Sequence, residues 1–388
     1  MRSINPIRES CGDKKMLIKD ICTSITDGSH NPPQGIASSS YLMLSSKNVF
    51  DDKITLDEPR FLSEEDFAKE NKRTNVKCGD ILLTIVGTVG RAAVVSSDLP
   101  PFTLQKSVAV LHPKEEVCSS RYLMYALRGK RSYIESHSKG VAQKGIYLKE
   151  VAGIDLPVHP KAMQEKITNR LDKLAFIIKC RQQELQKLDD LVRARFVEFF
   201  GDPVANDKGW DTEICRNLMS KIGSGATPKG GKESYCDEGI SLIRSMNVYN
   251  NRFEYKDLAH ITDEQAEQLN NVTIEKKDIL LNITGASVAR CCIVPDDLLP
   301  ARVNQHVSIL RCKERVLPDF VCNMFTEHNY QGLLWNVATA GGATREAITK
   351  QQIEELILII PPIDLQKQFV AFVAQTNKSK FTKTFRPL

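Results

Sequence analysis

Apolar and polar positions run in short blocks along most of the chain, and the same order of blocks comes round twice. Apolar runs at Tyr41–Leu44, Ile81–Val86 and Ala92–Val95 predict strands, with Gly87-Thr88-Val89-Gly90 as the turn between the last two. Roughly two hundred residues later Ile240–Ile243 answers the first run, and Asp278-Ile279-Leu280-Leu281-Asn282-Ile283-Thr284-Gly285 nearly repeats Asp80-Ile81-Leu82-Leu83-Thr84-Ile85-Val86-Gly87. Acidic segments at Ser63–Asn71 and Thr262–Asn270 predict helices, each opened by a hydroxyl residue followed by carboxylates. A later helix at Arg121–Arg128 is set against Phe320–Glu327, and glycine- and proline-rich stretches at 26–33 and 223–231 predict loops. Short strands and helices without regular βαβ alternation imply an α+β fold.

Between the copies the pattern changes. From Lys161 to Phe200 there is neither glycine nor proline, and Leu171, Leu174, Ile178, Leu185, Leu188, Val192 and Phe199 fit a heptad seam interrupted by Arg181 and Arg195. One helix of roughly 40 residues would be about 60 Å long. Gly201-Asp202-Pro203 should stop it. A single buried helix of a compact bundle would give the same pattern; a coiled-coil rod between two lobes needs a partner helix, and one begins after Pro362. This divides the chain into 1–157, 158–203, 204–360 and 361–388. A repeat this long is a duplicated domain rather than a solenoid unit.

The 388 residues allow two domains with cores of their own, and a net charge of +5 permits a polyanionic partner without demanding one. Eleven scattered cysteines, an odd number with no CxxC pair, suggest a reducing compartment, and the longest apolar run near the C-terminus, Leu356 to Ile360, is too short to span a bilayer. A cytoplasmic location without membrane contact is expected.

The matched segments extend to Ser46-Lys47-Asn48-Val49-Phe50 with Ser245-Met246-Asn247-Val248-Tyr249, and to Pro160-Lys161-Ala162-Met163-Gln164 with Pro362-Ile363-Asp364-Leu365-Gln366. With Gly79–Leu83 and Asn304-Gln305, this order of motifs resembles the specificity subunit of Type I restriction-modification enzymes over almost the whole chain. The resemblance implies two similar target-recognition domains joined by a long helical coiled-coil spacer, each domain reading one half of a bipartite double-stranded DNA sequence. It also implies partners. Two modification subunits would bind S-adenosylmethionine and methylate adenine N6, and motor-nuclease restriction subunits would use ATP and Mg, leaving this chain without a cofactor. One departure stands out: the helix after Pro362 loses its apolar pattern beyond Val373, so the antiparallel partner of Leu185–Phe199 is expected to be missing.

Duplication sorts the DNA-binding candidates. If the half-sites differ, base-reading side chains should differ between copies, and shared ones should hold the scaffold or touch phosphates. Ser29, His30, Asn31 and Gln34 oppose Thr227, Lys229, Lys232 and Glu233 in divergent loops and carry donors or acceptors for major-groove edges. Lys47 opposite Met246, and Thr84 opposite Asn282, differ within matched segments, although drift in a surface loop would look alike. Among shared residues, Gln105 and Gln305 suggest a structural hydrogen bond. Arg91 and Arg290 suggest a phosphate contact or a solvated arginine, and Asn48 and Asn247 a turn or an adenine contact. Lys139, Lys144 and Arg345 lie in basic stretches open to phosphate.

Apparent catalytic motifs are weak. Asn31-Pro32-Pro33-Gln34 lacks the aromatic ring of an adenine methyltransferase motif, and Gly225 to Lys232 is one residue too long for a phosphate loop, with Glu233 where Ser or Thr belongs. Glu70-Asn71-Lys72 and Glu254-Tyr255-Lys256 match a nuclease Glu-x-Lys only as any charged sequence does, and the histidines show no metal-ligand spacing. A non-catalytic DNA-reading subunit is therefore the leading expectation. A self-contained nuclease or methyltransferase, which would act alone with magnesium and S-adenosylmethionine, and a truncated or silent subunit acting only as an assembly scaffold are the alternatives.

Overall fold

The computed structural model describes residues 14–140, 144–228, 230–340 and 346–384, without the side chains of Lys232 and 381–384. The chain forms two compact units, Met1–Lys179 and Cys180–Leu388. In the first, a four-stranded antiparallel sheet has the order Cys22–Asp27, Val108–Pro113, Ile81–Thr84, Ala92–Val94. Its two central strands are apolar and buried on both faces over most of their length, while the edge strand Cys22–Asp27 exposes Thr23 and Ser24. Ile81, Leu83, Ala109 and Leu111 point into one core with the helix Ser120–Gly129, while Leu82, Val108 and Val110 point into another. That second core is closed by a three-stranded sheet in which Tyr41–Leu44 lies antiparallel to Arg60–Leu62 and parallel to Phe102–Leu104. Alternation of side chains along each strand thus produces three layers from one apolar run.

The second unit repeats every part. Its four-stranded sheet has the order Met219–Ser224, Val307–Cys312, Ile279–Asn282, Cys291–Ile293, and its three-stranded sheet pairs Ile240–Ile243 with Ala259–Ile261 and Ala301–Val303. Ile279 and Leu281 face the helical core and Leu280 the other. The acidic helices form as expected. Glu64–Thr74 is capped by Ser63, whose hydroxyl accepts from the Asp66 amide at 3.1 Å, and Asp263–Gln268 by Thr262 in a reciprocal box with Gln265.

The motif Asp-Ile-Leu-Leu owes its recurrence to a buried carboxylate. Asp80 accepts from the Lys77 amide at 2.6 Å and meets His112 Nδ1 at 2.7 Å; Asp278 accepts from the Glu275 amide at 2.7 Å and from Arg311 through two bonds of 2.8 Å. Both copies pin the turn before the central strand the same way, with a different cationic partner. Gln164 and Gln366 are likewise interchangeable: each side-chain oxygen accepts one amide at 2.9 Å, from Ser119 and Leu317 respectively. That equivalence places Arg121 opposite Asp319, so the alignment of Arg121 with Phe320 drawn from the sequence is one residue out of register.

The glycine-free segment is one helix, Lys161–Phe200. At its start, Gln164 and Thr168 are buried and Asp172 accepts from Arg121 and Tyr125 at 2.6 Å each. At its end Phe196 and Phe200 pack on Phe320 and Phe369, with ring centroids 4.8–5.8 Å apart. Gly201 (φ +74°) stops it in a conformation that glycine favours, and Trp210 Nε1 donates to the Phe200 carbonyl at 2.9 Å.

Here one expectation is corrected. Over Asp189–Phe199 the long helix does have an antiparallel partner in this chain, the helix Ile363–Thr384. Phe369 meets Phe196, Phe199 and Phe200, Phe372 lies under Arg195, and Lys380 pairs with Asp189 at 2.5 Å. Beyond Val373, Lys380 on Asp189 is a polar contact, which leaves no trace in an apolar pattern. Apolar positions stay open along the long helix at Leu174, Phe176, Ile177 and Ile178, which are 45, 66, 39 and 57% exposed, and at Leu191 and Val197, which are 48 and 45% exposed.

Candidate nucleic-acid interface

Each unit carries a cleft at an equivalent place. In the first, Val86 bridges to Gly145 beside an opening of about 590 Å³; in the second, Thr284 bridges to Ala347 beside one of about 780 Å³. They share these bridges and the matched pair Lys106 and His306, but the second is walled by Met246, Tyr249 and Arg290, and the first by Asp27 and His30, at the start of the loop that follows the first strand of the four-stranded sheet. That loop passes directly over the neighbouring strand. A Cβ on Gly28 would fall 2.0 Å from the Leu104 carbonyl oxygen, and one on Gly225 would fall 1.6 Å from that of Val303. Only glycine allows so close a crossing, which fixes where the divergent loops begin.

A cation–aromatic pair recurs at matched positions in the two units, and in the second it lines the cleft. The Arg91 guanidinium lies 4.9 Å from the Phe50 ring centroid, and that of Arg290 lies 4.6 Å from Tyr249. Such stacking immobilises the cation while leaving its hydrogen-bond donors usable. The turn beneath is set by Thr84, whose hydroxyl donates to the Thr88 carbonyl at 2.6 Å and accepts from the Arg91 amide at 2.9 Å.

Several candidates move from the interface to the interior. Asn48 accepts from the Ser45 amide at 3.0 Å and donates to the Asp57 carbonyl at 2.8 Å; Asn247 repeats this with Arg244 at 3.1 Å and Glu254 at 2.9 Å. Both asparagines are buried turn supports, so the adenine contact considered for them is corrected. Thr84 and Asn282 are fully buried, Asn282 donating to the Ser245 carbonyl at 2.8 Å, and Ser29 is 8% exposed beneath its own loop. None of these three offers a side chain to a base edge.

His30, Asn31, Gln34, Lys47, Lys139 and Lys144 are exposed in the first unit, and Met246 in the second. Thr227 is partly exposed and donates its hydroxyl to Gln305 Oε1, the structural bond expected of that glutamine. Lys229 and Arg345 lie outside the described residues, as does the Lys232 side chain. Sequence reasoning missed Lys106 and Tyr147 in the first cleft and His306 in the second, where Thr284 Oγ1 meets its Nδ1 at 2.7 Å. It also missed Phe50 and Tyr249, although both lie in a matched segment and their shared aromatic character was the available signal.

The described cysteines are all free thiols; Cys291 and Cys322 approach to 3.6 Å without bonding, and burial pushes Cys22, Cys118 and Cys215 up to about 12. Those three are inert packing groups rather than nucleophiles, whereas Cys78 and Cys180 are exposed. No helix among the described residues is long and apolar enough to cross a membrane.

Comparison with known proteins agrees with the duplication. The family described as the Type I restriction modification DNA specificity domain matches residues 39–189 and again 216–384. The EcoBI specificity subunit of a Type I restriction enzyme from Escherichia coli is 21% identical over 306 residues, 71% of this chain and 62% of that protein. The MjaVIII specificity subunit of Methanocaldococcus jannaschii is 20% identical over 226 residues, 54% of this chain and 51% of its own. The matches thus take in less than two thirds of the length of either curated relative. In fold, the chain is similar to the S subunit of a Type I restriction-modification system from M. genitalium, with TM-score 0.52, 13% identity, and 97% and 92% of the two chains covered. A chain from a solved structure of complex assembly in the type I R-M system gives TM-score 0.51 at 14% identity, covering 97% and 93%. Two matched domains, one on each copy and together spanning most of the sequence, mean that this chain belongs to the Type I restriction modification DNA specificity family.

Proposed function

We propose that this chain is the sequence-reading subunit of a Type I restriction-modification assembly, in which each domain reads one half of a bipartite duplex target and the chain itself performs no chemistry. The observation that carries this reading is a stacked arginine that recurs in each domain, Arg91 on Phe50 and Arg290 on Tyr249, while the walls of the two clefts differ between the copies. Shared arginines suit phosphates, which are the same in every sequence, and divergent walls suit bases, which are not. Arg91 and Arg290 would set each domain on the backbone, while His30, Asn31, Gln34 and Lys47 face one half-site, and Thr227 and Met246 the other. Modification subunits holding S-adenosylmethionine and restriction subunits using ATP and Mg would supply methylation and cleavage.

The test is co-expression with the neighbouring modification subunit, followed by sequencing for N6-methyladenine. A split motif with a fixed gap is expected. An undivided motif, or methylation independent of sequence, would contradict the reading.

A further inference from the structure

The first cleft holds one side chain whose hydrogen-bonding sense is set from behind. His30 is more than half exposed, and its Nε2 lies 2.8 Å from Asp27 Oδ2. Asp27 is itself buried at the end of its strand, and its other carboxylate oxygen is taken by Arg73 Nη2, whose Nε donates to the Asp27 carbonyl at 3.0 Å. An ionised carboxylate only accepts, so Nε2 carries a proton and is the donor nitrogen of the ring's neutral form. The lone pair is then left on Nδ1, which has no hydrogen-bond partner among the described residues and belongs to a ring that lines the cleft beside Lys106, Lys139 and Tyr147.

We propose that His30 is a specificity-determining residue of the first half-site, its Nδ1 accepting a hydrogen bond from an exocyclic amino group, adenine N6 or cytosine N4, with Asp27 as the positioning residue that fixes the tautomer. This rests on the sequence-reading role proposed above. In the major groove those amino groups are the donors, whereas guanine O6 and thymine O4 are acceptors that an unprotonated Nδ1 repels. The second unit has no such device: its corresponding loop carries Ser224 and Thr227 where the first carries Asp27 and His30. The two domains should therefore read different bases at this position.

The geometry makes the proposal testable by inversion as well as by loss. In Asp27→Asn, Arg73 has no acceptor to offer, so it holds the amide oxygen in place of Oδ1 and turns the amide nitrogen toward His30. Nε2 must then accept, and the ring proton moves to Nδ1, which becomes a donor. The experiment reconstitutes the wild-type, His30→Ala and Asp27→Asn chains with their modification subunits and sequences the methylated motif of each. Wild type should fix adenine or cytosine at one position of the first half-site, and the base found there distinguishes the two sources. His30→Ala should relax that position by about tenfold. Asp27→Asn should shift it toward guanine or thymine. The second half-site and the gap should not change, and their retention reports within the same complex that the variant is folded. An unchanged first half-site in both variants, or loss without inversion in Asp27→Asn, would overturn the assignment. A wild-type complex with no split motif would instead tell against the sequence-reading role itself.

Discussion

A carboxylate with no exposed surface has to be held by donors on every side, and Asp278 is held by Arg311 and the Glu275 amide. Its truncation strands both. Asp278→Ala should cost about 3 kcal/mol, read as a lower urea midpoint at unchanged m-value; a cost below about 1 kcal/mol would show that the pair contributes little. Asp172 makes a different contribution. Burial raises its carboxyl, but hydrogen bonds from Arg121 and Tyr125 outweigh this and leave it below the ordinary value of 3.8. A depressed carboxylate stabilises the fold above its unfolded value and loses that contribution as pH falls through the folded one. Asp172→Asn should therefore lower Tm by about 2–4 °C at pH 7, and the gap to wild type should close as pH falls below the ordinary 3.8 and through the lower folded value. A gap independent of pH would assign the loss to packing. At this scale the sequence was least legible. Asn48 and Asn247 carry the amide that reads adenine, and Thr84 against Asn282 shows the divergence expected of a reader, yet burial assigns all four to the scaffold. Composition and spacing report side-chain chemistry and say nothing of which way a side chain points.

The long helix is legible because its signal is negative: without glycine or proline between Lys161 and Phe200, nothing breaks it. Its apolar seam is a poorer guide, since Leu174 and Ile178 fit the heptad and stand exposed while Phe196, off the seam, is buried at 1%. Phe196→Ala should cost about 3–5 kcal/mol, and Phe176→Ser less than about 0.5 kcal/mol. Equal costs in chemical denaturation would mean that the two positions are equally packed. The distal helix was misread for the converse reason. Its last turns use Lys380 on Asp189, and a polar pairing of that kind cannot be found by periodicity.

For the whole molecule, the internal repeat was the most informative feature of the sequence, because two copies folding to the same three layers can be checked against each other. The buried Asp80 and Asp278, the bridging Gln164 and Gln366, and the crossing glycines Gly28 and Gly225 do matching work in each unit. The clefts themselves were not legible. They assemble from segments as distant as Asp27 and Tyr147, which no local pattern connects. If each domain reads a half-site as proposed, the residue count of the helix Lys161–Phe200 should set the unread gap in the target. Four residues added after Ala175 lengthen an α-helix by about 6 Å, the rise of roughly two base pairs. The decisive measurement is the N6-methyladenine motif of that insertion variant beside the wild type. A longer gap between two unchanged half-sites is the predicted result, and an unaltered gap in a complex that still methylates would contradict the account.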